Sequence, residues 1–242
     1  MKKIAKSSHK RKVCVVTSSR ADYGILKRTL RKILLSDFLE LQLVVTGTHL
    51  SEKHGFTLSE IKEDGFIVSK FIPLGIQVDS AASISSYMVK AQAGFSEFFS
   101  ESRPDFLLLL GDRYEVLAAA ISALFEKIPV CHLHGGEITQ GAFDDSLRHC
   151  ISKLSHVHFV SHESYGKRLI QMGETPNSVI NIGSLGVEAV KSIPLLGKSE
   201  TEACLGIKLM PKTLVITNHP ETLSKVDNII QLTELLNALE KL

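Results

Sequence analysis

Short, almost wholly apolar segments alternate with helix-forming segments along this chain, and this alternation constrains its fold more than any other feature. The clearest apolar runs are residues 106–110 and 128–131. Strands that are apolar on both faces belong to parallel sheets that helices cover on both sides. The sequence therefore predicts an α/β fold built on a parallel sheet.

Hydrophobic periodicity delimits the individual elements. The predicted strands are residues 13–17, 41–45, 66–72, 106–110, 130–133, 158–160 and 179–182. The predicted helices are residues 22–35, 58–63, 81–99, 114–126, 145–154 and 163–172. The sequence thus predicts one large domain over residues 13–192, preceded by a basic tail at 1–12.

The amino-acid composition changes after Gly186, where glycines and prolines become frequent. We interpret residues 193–211 as a linker with a short helix at 200–205. Residues 212–242 then supply one strand, 213–217, and one helix, 227–241. These two elements are too few for an independent domain, since even small domains run to roughly 50 residues. They are interpreted as the opening of a second, truncated domain.

Composition excludes several classes of protein. The chain has 28 basic and 26 acidic residues, and much of the basic excess lies in residues 1–12. This balance argues against a nucleic-acid partner, which needs a clustered basic face. The sequence has neither a stretch of the roughly 20 apolar residues that span a bilayer nor the apolar core of a signal peptide, so no membrane partner and a cytoplasmic location are expected. The four cysteines form no C-x-x-C pair, which disfavours a disulfide or a zinc site.

Polar side chains gather in residues 107–149, close to the ends of two predicted strands. The carboxyl edge of a parallel sheet is where α/β proteins bind ligands. The sequence therefore predicts a site at this edge. Its candidate residues are Asp112, Arg113, His132, His134, Glu137, Asp144, Asp145, Arg148 and His149.

Each of these residues also has a plainer interpretation. Asp112 would cap the following helix, and one of Asp144 and Asp145 would cap the next, which leaves the other for chemistry. Arg113 would either pair with Asp112 or bind phosphate. Arg148 and His149 would form a surface salt bridge with Asp144 or Asp145 one turn earlier. The sequence alone leaves these alternatives open.

The histidines and Glu137 resemble a metal-binding group, because strand alternation would place His132 and His134 on one face. We favour instead an acid or base at Glu137, since the Gly-Gly turn before it lets a ligand approach the backbone closely. No metal is expected.

Residues 18–20 (Ser-Ser-Arg) precede a predicted helix, and helix N-termini bind phosphate through unpaired N–H groups. The G-x-G-x-x-G fingerprint is missing, so a dinucleotide cofactor and hydride transfer are disfavoured. No cofactor is expected. Taken alone, the residues predict a site for an anionic small molecule with acid and base groups.

Seven ordered segments together resemble the hydrolysing UDP-N-acetylglucosamine 2-epimerases of nonulosonic (sialic-type) acid synthesis, and they span nearly all of the chain after residue 12. They are Thr-Ser-Ser-Arg-Ala-Asp-Tyr-Gly at 17–24, Val-Thr-Gly-Thr-His at 45–49, Gly-Asp-Arg-Tyr-Glu at 111–115, His-Gly-Gly-Glu at 134–137, Asp-Ser-Leu-Arg-His at 145–149, Asn-Ile-Gly-Ser-Leu-Gly at 181–186 and His-Pro-Glu-Thr at 219–222.

The resemblance implies a glycosyltransferase B-type fold, in which two Rossmann-like domains close over a UDP-sugar. It also implies elimination of UDP across C1 and C2 to give 2-acetamidoglucal, followed by hydration to free N-acetylmannosamine. Loss of the C2 proton requires a base, and the departing diphosphate requires cations.

By the same resemblance, the acid and base positions match Asp112, Glu137 and Asp145, with Asp144 as a neighbour that would exchange roles. Positions near the diphosphate or leaving group match Arg20, Arg113 and His219. The remaining residues of the expected cleft are His49, His134, Arg148, His149 and Ser184.

The chain departs from the family in two respects. Asn218 stands before His219, where many relatives have an aromatic residue. The family's second domain runs on for more than a hundred residues and supplies most uridine and ribose contacts. We therefore expect a truncated chain with weak or absent turnover on its own, an expectation that robust turnover by the purified 242-residue chain would contradict.

The sequence leaves two alternative functions open, and it also predicts an oligomer contact. The alternatives are the same reaction on UDP-2,4-diacetamido-2,4,6-trideoxyglucose, used on the legionaminic acid route, and a catalytically inactive nucleotide-sugar binding module. The Phe-rich helix 81–99 also has more apolar residues than one sheet face needs. It is the predicted contact of a homo-oligomer.

Overall fold

The computed structural model describes residues 10–78, 80–219, 223–224 and 226–241. Seven strands form one sheet. In chain order they are β1 (Arg11–Thr17), β2 (Leu39–Thr46), β3 (Val68–Ile72), β4 (Phe106–Leu110), β5 (Val130–Leu133), β6 (Val157–Val160) and β7 (Val179–Asn181).

Nine α-helices are present in the described residues. They are α1 (Arg20–Leu34), α2 (Leu58–Glu63), α3 (Ala81–Ser102), α4 (Tyr114–Phe125), α5 (Asp144–Lys153), α6 (Glu163–Gln171), α7 (Leu185–Ser192), α8 (Lys198–Leu205) and α9 (Asn228–Leu239). Two short 3₁₀ helices, Gly47–Leu50 and Glu52–His54, follow β2, and a third, Pro176–Ser178, precedes β7.

The strand order is β3-β2-β1-β4-β5-β6-β7, and every pairing is parallel. The predicted doubly covered parallel sheet is confirmed. The order reverses between β1 and β4, so the connections that follow these strands leave the sheet in opposite directions and open a crevice. Ligands of open α/β sheets bind at such a switch point.

Two buried apolar clusters fill the space between the sheet and its helices. One contains Leu26 and Leu30 of α1 with strand residues such as Val15 and Leu43. The other contains residues of α3 and α4 on the opposite face of the sheet. Burial of these side chains on both faces explains why β1 and β4 have so few polar residues.

The Phe-rich helix α3 uses its aromatic residues inside the chain. Phe95 and Phe99 are fully buried, and Phe98 is 7% exposed. The predicted oligomer contact depended on these aromatic side chains, and they are not available at the surface of this chain.

Several boundaries differ from the predictions. β1 begins at Arg11, inside the predicted basic tail, because Arg11 pairs with Asp105 and the Lys12 amide donates to the same carboxylate. Residues 1–9 of that tail lie outside the described residues. Helix α7 was not predicted; Ser184 caps it by accepting a hydrogen bond from the Val187 amide.

The predicted strand 213–217 is wrong. These residues form no ladder with any described segment, and a strand without a neighbour leaves its backbone groups unpaired. The short helix predicted at 200–205 and the helix at 227–241 are confirmed as α8 and α9. Among the helices described, none is long and apolar enough to cross a bilayer.

Candidate functional site

A cavity of about 260 Å³ opens at the switch point, beside the carboxyl end of β4. The segments that form its wall are the start of α1, the loop between β4 and α4, the loop after β5, and α5. The lining residues are Ser19, Ala21, Asp22, Ile25, Leu110, Gly111, Asp112, Arg113, His134, Glu137 and Arg148. Five of the twelve residues that the family resemblance placed in the site line this cavity.

Arg148 and Asp112 form an ion pair inside the cavity. The Arg148 side chain is only 8% exposed, and its Nη2 contacts the Asp112 carboxylate and donates to Thr139 Oγ1 at 2.9 Å. Among the described residues, nothing accepts from Arg148 Nε or Nη1, although both are buried. Buried donors are normally paired, so these two N–H groups are available for a bound ligand.

The Asp112 pairing decides two of the open alternatives. The N-cap residue of α4 is Arg113, without a side-chain cap hydrogen bond, so Asp112 does not cap that helix. Arg148 pairs with Asp112 across the cavity rather than with Asp144 or Asp145 one turn earlier. Both corrections follow from tertiary packing, since the partners are 36 residues apart.

Glu137 is held on the same cavity by two hydrogen-bond donors. Ser161 Oγ donates to its Oε1 at 2.6 Å, and His134 Nδ1 lies 3.1 Å from the same oxygen. Burial opposes ionisation, but the contacts with His134 and Ser161 outweigh it and keep the pKa of Glu137 below its usual value. Glu137 is therefore ionised at neutral pH, as a base must be.

His134 does not share a strand face with His132. It lies one residue past β5 in the left-handed conformation, with φ +65°, which is uncommon for a non-glycine residue. This conformation directs Nδ1 to Glu137. Its Nε2 is buried and unpaired within the described residues.

Arg113 lines the cavity with a carboxylate behind it. Its Nε and Nη2 donate to Glu115 at 3.3 and 3.1 Å, so it does not pair with Asp112 as one alternative had it. Burial works against protonation, but the adjacent carboxylate of Glu115 prevails and raises the pKa of Arg113. The guanidinium is therefore a permanent cation at the cavity.

His132 lies beneath the cavity and has no free nitrogen for a metal. Its Nε2 donates to the Gly111 carbonyl at 2.7 Å and its Nδ1 accepts from Ser152 Oγ at 3.1 Å. Burial lowers the pKa of His132 to about 3. The described residues hold no group of three His, Cys, Asp or Glu side chains that could bind a metal ion.

The neutral, buried His132 makes acid stability a testable property. The folded-state pKa of His132, about 3, lies below the ordinary 6.5. Between these two pH values His132 is protonated in the unfolded state and neutral in the folded state. The free energy of unfolding should fall as the pH drops from about 6.5 towards 3, and should be unaffected above that window. Thermal melts between pH 8 and pH 4 should show a shallower loss for His132→Gln, and parallel curves for the two proteins would contradict the assignment.

The predicted phosphate position at the start of α1 is already filled. The Asp22 carboxylate accepts from the amides of Ser18 and Ser19 at 3.1 and 2.9 Å, and it completes a capping box with Ser19. The N–H groups on which the prediction rested are therefore occupied. Arg20 is 74% exposed and pairs with Glu60 at 2.9 Å, outside the cavity.

His49 is fully buried and lies behind the cavity wall. Its Nε2 is 3.0 Å from Thr17 Oγ1, which also contacts Asp22, and its Nδ1 is 2.7 Å from Thr57 Oγ1. Burial lowers the pKa of His49. In this structure His49 braces the end of β1 instead of facing the cavity.

Asp144 and Asp145 begin α5 next to the cavity, without being among its lining residues. Asp145 accepts from the Thr139 amide at 2.9 Å and lies 3.6 Å from His149 Nε2, so it anchors the loop after β5. Burial, reinforced by the nearby charge of Asp112, raises the pKa of Asp144. The structure thus distinguishes the two: Asp145 holds the loop, and Asp144 belongs to the ionic surroundings of Asp112.

Two further predicted residues lie elsewhere. Ser184 caps α7. His219 is exposed, and residues 220–222 of its segment lie outside the described residues. A backbone contact between described residues joins this part of the chain to the site. The Leu223 amide donates to the Gly141 carbonyl at 2.9 Å, in the loop before α5.

Four residues that organise the site were not predicted from the sequence: Asp22, Glu115, Thr139 and Ser161. The spacing Ser19-x-x-Asp22 at a helix start is a capping-box signature and could have identified Asp22. The other three act through contacts 2 to 24 residues away along the chain. They have no comparable signal in the sequence.

Fold and site together define an α/β protein with a cationic and acidic cavity at a sheet switch point. The model of the UDP-N-acetylglucosamine 2-epimerase family matches residues 32–242. The chain belongs to this family, and its fold is the Rossmann-like parallel sheet of glycosyltransferase B-type proteins. The resemblance inferred from the seven segments is thereby confirmed.

Curated relatives and solved structures agree with this assignment. The GDP/UDP-N,N'-diacetylbacillosamine 2-epimerase (hydrolyzing) of Campylobacter jejuni is 42% identical over 96% of this chain and 60% of its own length. The polysialic acid biosynthesis protein P7 of Escherichia coli is 41% identical over 95% and 58%. The chain thus spans about three fifths of these relatives.

A solved UDP-GlcNAc 2-epimerase from Neisseria meningitidis, bound to UDP-GlcNAc, has the same fold. It superposes with a TM-score of 0.66 at 18% identity, over 81% of this chain and 51% of the other. At this identity the likeness establishes the fold.

Proposed function

We propose that this chain carries the catalytic acid and base groups of a hydrolysing UDP-sugar 2-epimerase whose substrate is UDP-N-acetylglucosamine and whose products are UDP and free N-acetylmannosamine. One observation carries the proposal. The buried guanidinium of Arg148 and the ionised carboxylate of Glu137 line a single cavity at the sheet switch point. Family membership and the names of the relatives support the class of reaction.

The cations of the cavity suit a departing diphosphate. Arg113 and Arg148 both line it, and Arg148 has two buried N–H donors without a partner in the described part of the chain. Donors fixed before the reaction stabilise developing negative charge without having to reorganise. We assign these two arginines to the diphosphate oxygens.

The first chemical step is elimination. Glu137 takes the proton from C2, the C2–H electron pair forms the C1=C2 bond, and the C1–O bond breaks so that UDP leaves with its electron pair. The product is 2-acetamidoglucal. His134 and Ser161 orient the Glu137 carboxylate for this transfer.

The second step adds water across the glycal. The water oxygen bonds to C1 and a proton returns to C2 on the opposite face, which gives the manno configuration. Asp112 also lines the cavity, and we assign its carboxylate to this proton transfer. Burial and the nearby charge of Asp112 raise the pKa of Asp144 beside it, which favours a role for Asp144 as a neighbouring acid.

The relatives support a second substrate for the same reaction. The Campylobacter jejuni protein is named for N,N'-diacetylbacillosamine, which is the 2,4-diacetamido-2,4,6-trideoxyglucose of the legionaminic acid route. Turnover of the two UDP-sugars at equal concentration tests the choice. A kcat/KM at least tenfold higher for UDP-N-acetylglucosamine supports the first substrate, and the reverse order establishes the second.

The third candidate, an inactive binding module, predicts a different result. Such a protein would bind UDP-sugar and return it unchanged. Three carboxylates in or beside a diphosphate site would repel the ligand, so they favour catalysis over binding alone. UDP-sugar that binds but stays intact in phosphorus NMR after prolonged incubation, with this chain and with any longer natural polypeptide that contains it, would establish the binding module.

A further inference from the structure

Glu115 lies directly behind the cavity and belongs neither to its lining nor to the acid and base set. It is in the first turn of α4, and its side chain is completely buried. A buried carboxylate is unfavourable unless a cation and hydrogen bonds compensate for lost hydration. The contacts of Glu115 therefore indicate which group its carboxylate stabilises.

The compensating cation is Arg113, and the contact has the geometry of a fork. Arg113 Nε is 3.3 Å from Glu115 Oε2, and Nη2 is 3.1 Å from Oε1. Two parallel contacts of this kind fix the plane of a guanidinium, which a single contact leaves free to rotate. Within the described residues, nothing accepts a hydrogen bond from Arg113 Nη1. The Arg113 side chain is 33% exposed, at the cavity.

The backbone around Glu115 is shaped to admit this carboxylate. Gly47, with φ +62°, passes so close that a Cβ there would lie 2.8 Å from Glu115 Oε1 and 2.5 Å from the Ser18 carbonyl oxygen. The ends of β1, β2 and β4 thus meet at one buried carboxylate. A side chain at position 47 would collide with this carboxylate, so glycine there leaves the room that Glu115 occupies.

We propose that Glu115 is a positioning residue, which orients the Arg113 guanidinium so that its outer edge faces the diphosphate of the nucleotide sugar. The inference rests on the proposed function, because it takes the ligand of Arg113 to be that diphosphate. Glu115 touches neither substrate nor reacting atoms and acts through Arg113 alone.

A double-mutant cycle measured by UDP calorimetry tests this inference. Glu115→Gln keeps the shape of the side chain but loses the charge-assisted fork, and it should weaken UDP binding about tenfold. Arg113→Met should weaken binding at least as much. The double variant should bind no more weakly than Arg113→Met alone, because residues that act through one contact are not additive.

Matched controls separate positioning from general damage. Glu126→Gln removes a carboxylate that pairs with Arg103 at 3.4 Å, just beyond the other end of α4, and should leave UDP affinity unchanged. Melting temperatures identify variants that fail to fold. If Glu115→Gln is one of these, Glu115→Asp, whose shorter side chain cannot span both nitrogens, takes its place in the cycle.

The outcomes distinguish the inference from the proposed function. Losses that add in the double variant overturn the positioning role, and the proposed function stands if the wild-type protein still turns over UDP-sugar. A non-additive cycle, with no turnover by this chain or by any longer natural polypeptide that contains it, supports positioning and overturns the proposed function. A wild-type chain that does not bind UDP, alone or within any longer natural polypeptide that contains it, overturns both.

Discussion

Replacement of Glu137 by glutamine should lower kcat for UDP-sugar cleavage by roughly 100- to 10,000-fold, which is the usual contribution of a positioned base. Glutamine keeps an oxygen that accepts from Ser161, so the loop after β5 should hold its conformation. It removes the charge and the capacity to take the C2 proton. KM should change little, because the carboxylate acts in the transition state more than in substrate binding.

The control for Glu137→Gln is Glu163→Gln. Glu163 is 71% exposed at the start of α6 and pairs only with Lys167 among the described residues, so its replacement should leave kcat unaltered. Steady-state kinetics measure kcat of both variants, and melting curves show whether both remain folded. A Glu137→Gln protein with more than half of the wild-type kcat would remove Glu137 from the role of base.

Replacement of Arg148 by lysine should be almost as severe, with a loss of about 100- to 1,000-fold in kcat, as for removal of one fixed donor to a developing anion. Lysine keeps the positive charge but cannot present several N–H groups in one plane. It would lose the contact with Thr139 or with Asp112, and the two buried donors Nε and Nη1. The unfolding temperature should also fall, because Asp112 loses part of its compensation.

Arg103→Lys is the matched control for this variant. Arg103 is 68% exposed and its Glu126 partner is 3.4 Å away; exposed pairs of this kind contribute roughly 0–1 kcal/mol. Kinetics of the two lysine variants should therefore differ by two orders of magnitude or more. Equal kcat values for Arg148→Lys and wild type would show that charge alone, without the fork, suffices at this position.

The sheet was predictable because its signal is local. Strands β4 and β5 are short apolar runs, and both observed spans coincide with the predicted ones, 106–110 and 130–133. Their polar ends identify the edge at which Asp112 and Glu137 lie. Parallel topology then brings these ends together without any knowledge of side-chain contacts.

The partners within the site were not predictable, because they depend on packing between distant segments. Arg148 had a plausible partner four residues earlier, yet it pairs with Asp112 from another strand end. His49 occurs in a family motif but is buried behind Thr17. Glu115 has the sequence context of any acidic residue in a first helical turn. Only the fold shows that it is buried against Arg113.

For the residues after 192, the sequence pattern predicted the helices but not the absence of a strand. The run 213–217 has strand-forming residues, but a strand exists only when a neighbour accepts its backbone hydrogen bonds. No described segment does so. Helix α9, whose backbone hydrogen bonds are internal, was predicted to within two residues at either end.

Proton NMR of the products formed from UDP-N-acetylglucosamine in D₂O tests whether the sugar is released by elimination followed by hydration. It should be run with this chain and with any longer natural polypeptide that contains it. We expect free UDP together with N-acetylmannosamine that carries deuterium at C2, because the proton removed by Glu137 is replaced from solvent. Free sugar with hydrogen retained at C2, or an epimerised sugar still attached to UDP, would contradict elimination followed by hydration.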